Sequence, residues 1–187
     1  QVSRADESWK AARHEAYRNK RSAGKDYPGY TLASQLAERN IYYDAREDMG
    51  PFYEPSFDDS AWENALLIAK AGDLPFGELY DGGTKPVLFD EMTDFADAAD
   101  CLGRELTEDT ILTLSLPANS QFGFGFELTA PAGKKLTIYT DTYRFQDGLP
   151  SFKDTYITAE GAQSYEHYPW RSGTKLIIEA EAGITFT

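Results

Sequence analysis

The stretch YEHYPW at 165–170 concentrates more recognition chemistry than any other part of the chain. Tyr165, Tyr168 and Trp170 offer flat rings on which the apolar C–H face of a sugar can stack. Glu166 and the adjoining Arg171 supply partners for sugar hydroxyls, with His167 between them. The same residue types suit two other roles. Aromatic groups mark surfaces where one domain docks on another, and in a strand they also fill cores. Tyr165, Glu166, Tyr168, Trp170 and Arg171 are therefore candidate carbohydrate-binding or interface residues, and only their placement decides between the roles.

Catalytic chemistry is harder to locate. Glycosidic cleavage uses two carboxylates about 5–10 Å apart. With 31 Asp and Glu in the chain, some pair meets that distance by chance, so abundance is no argument. Glu160 and Glu166 flank the aromatic stretch, but they read as surface carboxylates. His14 and His167 lie in different segments, without a Ser or Cys arranged as nucleophile. Ser120 and Ser164 are outside any Gly-x-Ser-x-Gly elbow. GFGFE (123–127) sits within a strand pattern, not before a helix, so it is no phosphate cradle. No catalytic residue is assigned.

Metal chemistry has weak candidates in Asp58 and Asp59. A structural calcium there would need loop carbonyls or Asp94, Asp97 and Asp100 to complete its oxygen shell. The plainer reading of FDDSAW (57–62) is a turn in which these carboxylates cap backbone N–H groups. DFADAAD (94–100) lacks the Gly and the terminal Glu of a calcium loop. A single Cys101 with two His gives no zinc pattern and no internal disulfide. No cofactor is expected.

The elements that must position these residues are short and mostly β. IYYDA (41–45), TILTLSLP (110–117), SQFGFGFELTA (120–130), KKLTIYTDTYRF (134–145), TYITAE (155–160), SYEHYPW (164–170), KLIIEAE (175–181) and GITFT (183–187) are alternating or β-branched. ALLIAK (65–70) and KPVLFDEM (85–92) are further short apolar runs. APAGK (130–134), QDGLP (146–150), RSG (171–173) and EAG (181–183) are turn signals. Many short strands at this spacing indicate an antiparallel sandwich. Within SQFGFGFEL, Phe122, Phe124 and Phe126 point to one face and read as core. Gly123 and Gly125 leave the other face open to close approach. Ahead of the strands, residues 5–21 lack Gly and Pro and are rich in Ala, Glu, Lys and Arg. They predict a helix, with Asp6 as N-cap, and TLASQLAERN (31–40) predicts a short second one. The expected domains are a helical arm and linker over 1–40 and a β-sandwich over 41–187.

Charge excludes one class of partner. The chain carries a net −13, and residues 1–25 hold seven basic and three acidic side chains, so the acidity lies in the remainder. A body this acidic repels a phosphate backbone, and nucleic acid is not an expected partner. No stretch approaches the roughly 20 apolar residues of a membrane helix.

Two segments carry a family resemblance. FDDSAWENALLIAKAGDLPFGELYDGGTKPVLFDE (57–91) joins Phe-Asp-Asp-Ser-x-Trp-x-x-Ala to an apolar run, a Pro-Phe-Gly turn and a second apolar run. It resembles the jelly-roll, galactose-binding-like domains of large glycoside hydrolases. Within 116–186, the run Tyr-Ile-Thr-x-x-Gly-x-Gln-x-Tyr-Glu-x-x-x-Trp-x-x-Gly looks like the sandwich that precedes the catalytic barrel in bacterial α-L-rhamnosidase-like proteins. The resemblance spans 41–187 and leaves the N-terminal segment unexplained. It implies a jelly-roll β-sandwich with an N-terminal helical arm, a fragment whose helical catalytic barrel would follow Thr187. The implied function is that of scaffold and interface for the barrel and other domains of the parent glycosidase, with no activity in this chain alone. The alternative is a carbohydrate-binding module for rhamnose- or galactose-containing glycans. A periplasmic or secreted bacterial location goes with either.

Overall fold

A computed structural model describes residues 6–18, 40–70, 72–75, 77–78, 80, 82–85, 91–142, 144, 148, 150 and 152–187. The chain forms two compact units: Gln1–His14 with Met49–Glu91, and Glu15–Asp48 with Met92–Thr187. The fold is mainly β, with one sheet in each unit.

The first unit is built on an antiparallel pair, β1 (Lys10–Ala11) and β3 (Glu63–Asn64), in register Lys10 to Asn64. Lys10 Nζ donates to Asn64 Oδ1 at 2.8 Å. FDDSAW forms the expected turn: Asp58 Oδ1 accepts the Ser60 N–H at 3.0 Å, and Trp62 leans on Phe57 with ring centroids 5.4 Å apart. The apolar run 65–70 forms no strand, and Leu66 and Ile68 are exposed.

The helix predicted over 5–21 does not form in residues 6–18. Asp6 does accept a backbone N–H, that of Ser8, but it opens a turn that leads into β1 rather than a helix. Further on, Tyr17 bridges antiparallel to Tyr43, and Ala16 is fully buried in the second unit. The reason is tertiary. The helical pattern has only a thin apolar face, whereas the observed turn buries Ala16 and sets the Tyr17 ring edge-on to Tyr43, 4.8 Å between centroids, and packing overrides a weak propensity. The helix expected over 31–40 falls outside the described residues, apart from Asn40. So does most of 85–92.

The second unit carries a six-stranded sheet, in order β2-β6-β5-β7-β4-β8. The strands are β2 (Tyr42–Asp44), β4 (Thr110–Ala130), β5 (Lys135–Thr140), β6 (Asp154–Ile157), β7 (Gly161–Ala180) and β8 (Thr185–Phe186). All neighbours are antiparallel except β2 and β6. Segments expected as separate strands run together: TILTLSLP and SQFGFGFELTA are both β4, and SYEHYPW and KLIIEAE are both β7. The RSG signal at 171–173 is therefore no turn. Gly173 lies inside β7 because a Cβ there would stand 2.6 Å from Asp141 Oδ1, a close approach that a strand glycine permits.

The β4–β7 ribbon folds back on itself, as its pairing requires. Ala130 pairs with Gly161 at one end of β7, while Leu136 pairs with Ala180 at the other. A straight strand of 20 residues would span about 65 Å. Residues 131–134, which join β4 to β5, reach about 17 Å at most. The two ends of β7 must therefore come close, with two irregularities in register where the ribbon bends. Residues 116–119 of β4 loop out opposite Thr174, and residues 168–170 of β7 loop out opposite Gly123.

The burial pattern agrees with this bend. Along β7 the inward positions are Tyr165, His167, Arg171 and Gly173, then shift by one to Leu176, Ile178 and Ala180. At the shift, Asp141 accepts the N–H groups of Thr174 and Lys175, which the corner takes out of the ladder. One core fills the space between the two halves. Phe124 and Leu128 from β4 and Tyr165 from β7 join Leu136 and Ile138 from β5, Leu176 and Ile178 from β7, and Ile184. Phe124 is buried, and Phe122 and Phe126 pack against the cluster, as their alternation implied. At Gly125 the missing side chain admits close neighbours, since a Cβ there would lie 2.9 Å from Met92 Cε and 3.0 Å from the Tyr165 carbonyl.

Candidate functional site

The bulge at 168–170 puts the candidate residues on two levels. Three residues of β7 stand opposite one of β4, between the pairs Phe124–His167 and Phe122–Arg171. Pro169 has no N–H to give a ladder, so a bulge suits it. The added residues are pushed outward: Tyr168 is 69% exposed and Trp170 44%. Glu166 is exposed beside them. Tyr165 and Arg171 lie inside. Tyr165 packs among Tyr43, Tyr156 and Phe126, with ring centroids 5.0 to 5.3 Å away, and burial pushes its hydroxyl pKa up.

Beneath the bulge is a buried ionic cluster whose central residue, Asp154, carries no local sequence signal. Arg171 forks onto it, with Nε 3.0 Å from Oδ2 and Nη2 2.7 Å from Oδ1. The Ile41 N–H donates to Oδ1 at 2.6 Å, which ties the start of β2 to β6. His167 closes the cluster from the other side of the bulge. Its Nδ1 faces the Pro169 carbonyl at 2.7 Å. A carbonyl only accepts, so Nδ1 carries a proton. Its Nε2 is 3.1 Å from Asp154 Oδ2, within ionic reach but off the line of a hydrogen bond. Arg171 therefore supplies the directional bonding. The His167 ring stacks on Phe124, with centroids 4.3 Å apart and planes 14° from parallel.

Carboxylates held low by folding, Asp154 and Asp44 among them, couple the stability of this unit to acid. Burial acts to raise the Asp154 pKa, but adjacent His167, the Arg171 charge and the Ile41 N–H outweigh it and hold the group below the usual range. Asp44 is held low chiefly by hydrogen bonds from Arg46, against the opposing effect of burial. A carboxyl depressed by folding stabilises the fold above its unfolded pKa of about 3.9 and loses that contribution as pH falls through its lower folded value. The urea midpoint is therefore expected to drop as pH falls below about 4. Asp154→Asn should flatten that drop, as urea titrations across the acid range would show.

Other candidates are not drawn into a shared site. Glu160 accepts the Ala132 N–H at 2.9 Å, and both it and Glu166 are exposed. Asp97 is engaged by the Ser115 N–H. Asp58 and Asp59 are exposed in their turn. Among the described residues, no group of three or more His, Cys, Asp or Glu is arranged to hold a metal ion. Nor is any helix among them long and apolar enough to cross a membrane.

No protein-family description matches the chain, and no curated protein does. Solved structures do. The α-L-rhamnosidase from Dictyoglumus thermophilum is similar over 78% of this chain, at 21% identity and a TM-score of 0.50. The GH78 family rhamnosidase of Bacillus sp. GL1 is similar over 41%, at 28% identity and a TM-score of 0.34. The chain spans only 16% and 9% of those two proteins' lengths, respectively. The first likeness places the β-rich fold beside a segment of a much larger rhamnosidase chain.

Proposed function

We propose that this chain is an accessory β-domain, of jelly-roll sandwich type, from an α-L-rhamnosidase-like glycoside hydrolase. In this reading it serves as scaffold and interface for a catalytic barrel and other domains of the same parent chain, in a periplasmic or secreted bacterial enzyme. The observation that carries the reading is the fold likeness over 78% of the chain to a small segment of a rhamnosidase. The motifs at 57–91 and 116–186 support it. A bent, well-packed β-domain suits the role, because loops on a rigid scaffold hold the wall of a cleft in place. The purified chain should leave an aryl α-L-rhamnoside intact, and measurable release of the aryl group would overturn the reading.

A second reading has its own observation. Tyr168 and Trp170 are exposed on one bulge with Glu166 nearby. Two rings and a carboxylate suit the apolar face and hydroxyls of a neutral sugar of rhamnose or galactose type. Isothermal calorimetry with rhamnose- and galactose-containing oligosaccharides tests it. Saturable heat that Trp170→Ala abolishes is the expected result, and the absence of heat with every glycan removes the reading.

A further inference from the structure

We propose that Asp154 is the positioning residue of the exposed ring pair: it holds both ends of the bulge and so sets how Tyr168 and Trp170 are presented. The proposal rests on the reading that this pair meets a saccharide. Its geometric basis is independent of the ligand.

The residues immediately before and after the bulge, His167 and Arg171, both turn inward and converge on the one carboxylate. Asp154 comes from β6, which contacts neither ring-bearing residue through the ladder. The same two side chains also reach the bulge backbone. His167 Nδ1 donates to the Pro169 carbonyl, and Arg171 Nη1 lies 3.4 Å from the Trp170 carbonyl. Pro169 adds a fixed φ between the rings. Three residues facing one have many conformations available. Here the flanking side chains are buried to 1% and 2% exposure and share an anchor buried to 4%. Exposed rings on a fixed backbone lose less freedom on binding than rings on a mobile loop. Arg171 is the directional link and His167 the lateral one, because only Arg171 forks onto both carboxylate oxygens.

The test uses Trp170 as its own reporter. Trp9→Phe and Trp62→Phe in the full chain leave one tryptophan, which is labelled as 5-fluorotryptophan and followed by ¹⁹F line shape and acrylamide quenching. Asp154→Asn is expected to broaden or split the Trp170 resonance and to raise its quenching about twofold, a moderate increase because the ring is already partly exposed. His167→Gln spares the Arg171–Asp154 fork and serves where Asp154→Asn does not fold. It is expected to loosen the ring less. Arg171→Lys, which keeps the charge but loses the fork, should fall between the two. If the wild type binds a neutral oligosaccharide, Asp154→Asn should weaken it about tenfold, the equivalent of one ring contact, although it touches no ligand.

An unchanged Trp170 line and quenching in a folded Asp154→Asn chain overturns the proposal. So does an unchanged signal in His167→Gln when Asp154→Asn cannot be obtained folded. A wild type that binds no glycan, with the ring loosened in the variants, removes the saccharide reading and leaves the positioning role standing.

Discussion

Asp154→Ala is expected to lower the unfolding free energy by about 3–5 kcal/mol, seen as a lower urea midpoint at unchanged slope. The cost arises less from the lost attraction than from what remains. Arg171 is 2% exposed, and without Asp154 its guanidinium keeps a full charge away from water after losing the carboxylate that it forks onto. The Ile41 N–H also loses its acceptor. The companion experiment separates these effects. Asp154→Leu combined with Arg171→Met removes both charges, and a buried pair replaced by apolar groups of similar volume is often neutral or stabilising. The double variant should therefore recover most of the loss. The Asp44–Arg46 pair gives the contrast. Asp44 is equally buried, but the Arg46 side chain is 49% exposed. Arg46→Ala therefore leaves Asp44 with Arg18 still 3.3 Å away, and about 1 kcal/mol is the expected scale.

Phe124→Ala is the second large effect, at about 3–5 kcal/mol. Phe124 is 2% exposed, belongs to the shared core and stacks on His167. Truncation removes the ring's transfer free energy and opens a cavity beneath the bulge, which close-packed neighbours fill only in part. Phe122→Ala, at a partly buried position of the same strand, should cost clearly less. Thermal unfolding of the two variants would rank them. A typical domain is stable by only about 5–15 kcal/mol, so Phe124→Ala should remove a large share of the margin.

Much of the β architecture was legible in the residues. Alternation at Phe122, Phe124 and Phe126 gave the inward face of β4, and the turns at 130–134 and 181–183 ended strands where Gly and Pro stood. Two features were not legible. The first is the turn and bridge at Ala16 and Tyr17, where a helix was expected. Its local composition favours helix, and the burial that overrides it comes from Tyr43, in a distant part of the chain. The second is the joining of short segments into β4 and β7. Breaks at Pro117 and at residues 168–170 look like strand ends, whereas they are bulges that a continuous ribbon absorbs. For the candidate site, Tyr168 and Trp170 were named by residue type alone. Asp154 was missed because nothing beside it in sequence marks it. The available signal was indirect: a Pro inside an aromatic strand pattern, flanked by His167 and Arg171, marks a bulge whose ends need anchoring.

The bent ribbon also bears on how the unit comes apart. Because β4 and β7 each run through both facing halves, neither half owns a complete set of strands. Peeling one half away must strain the same two chains that close the other, so partial opening has little to gain. Amide hydrogen exchange should accordingly report one protection level, at the global unfolding limit, for Leu114 and Ile178 on one side of the corner and for Phe124 and Tyr165 on the other. Pairing between residues so far apart in the chain also delays the first productive contact, so refolding should be slow for a unit of this size.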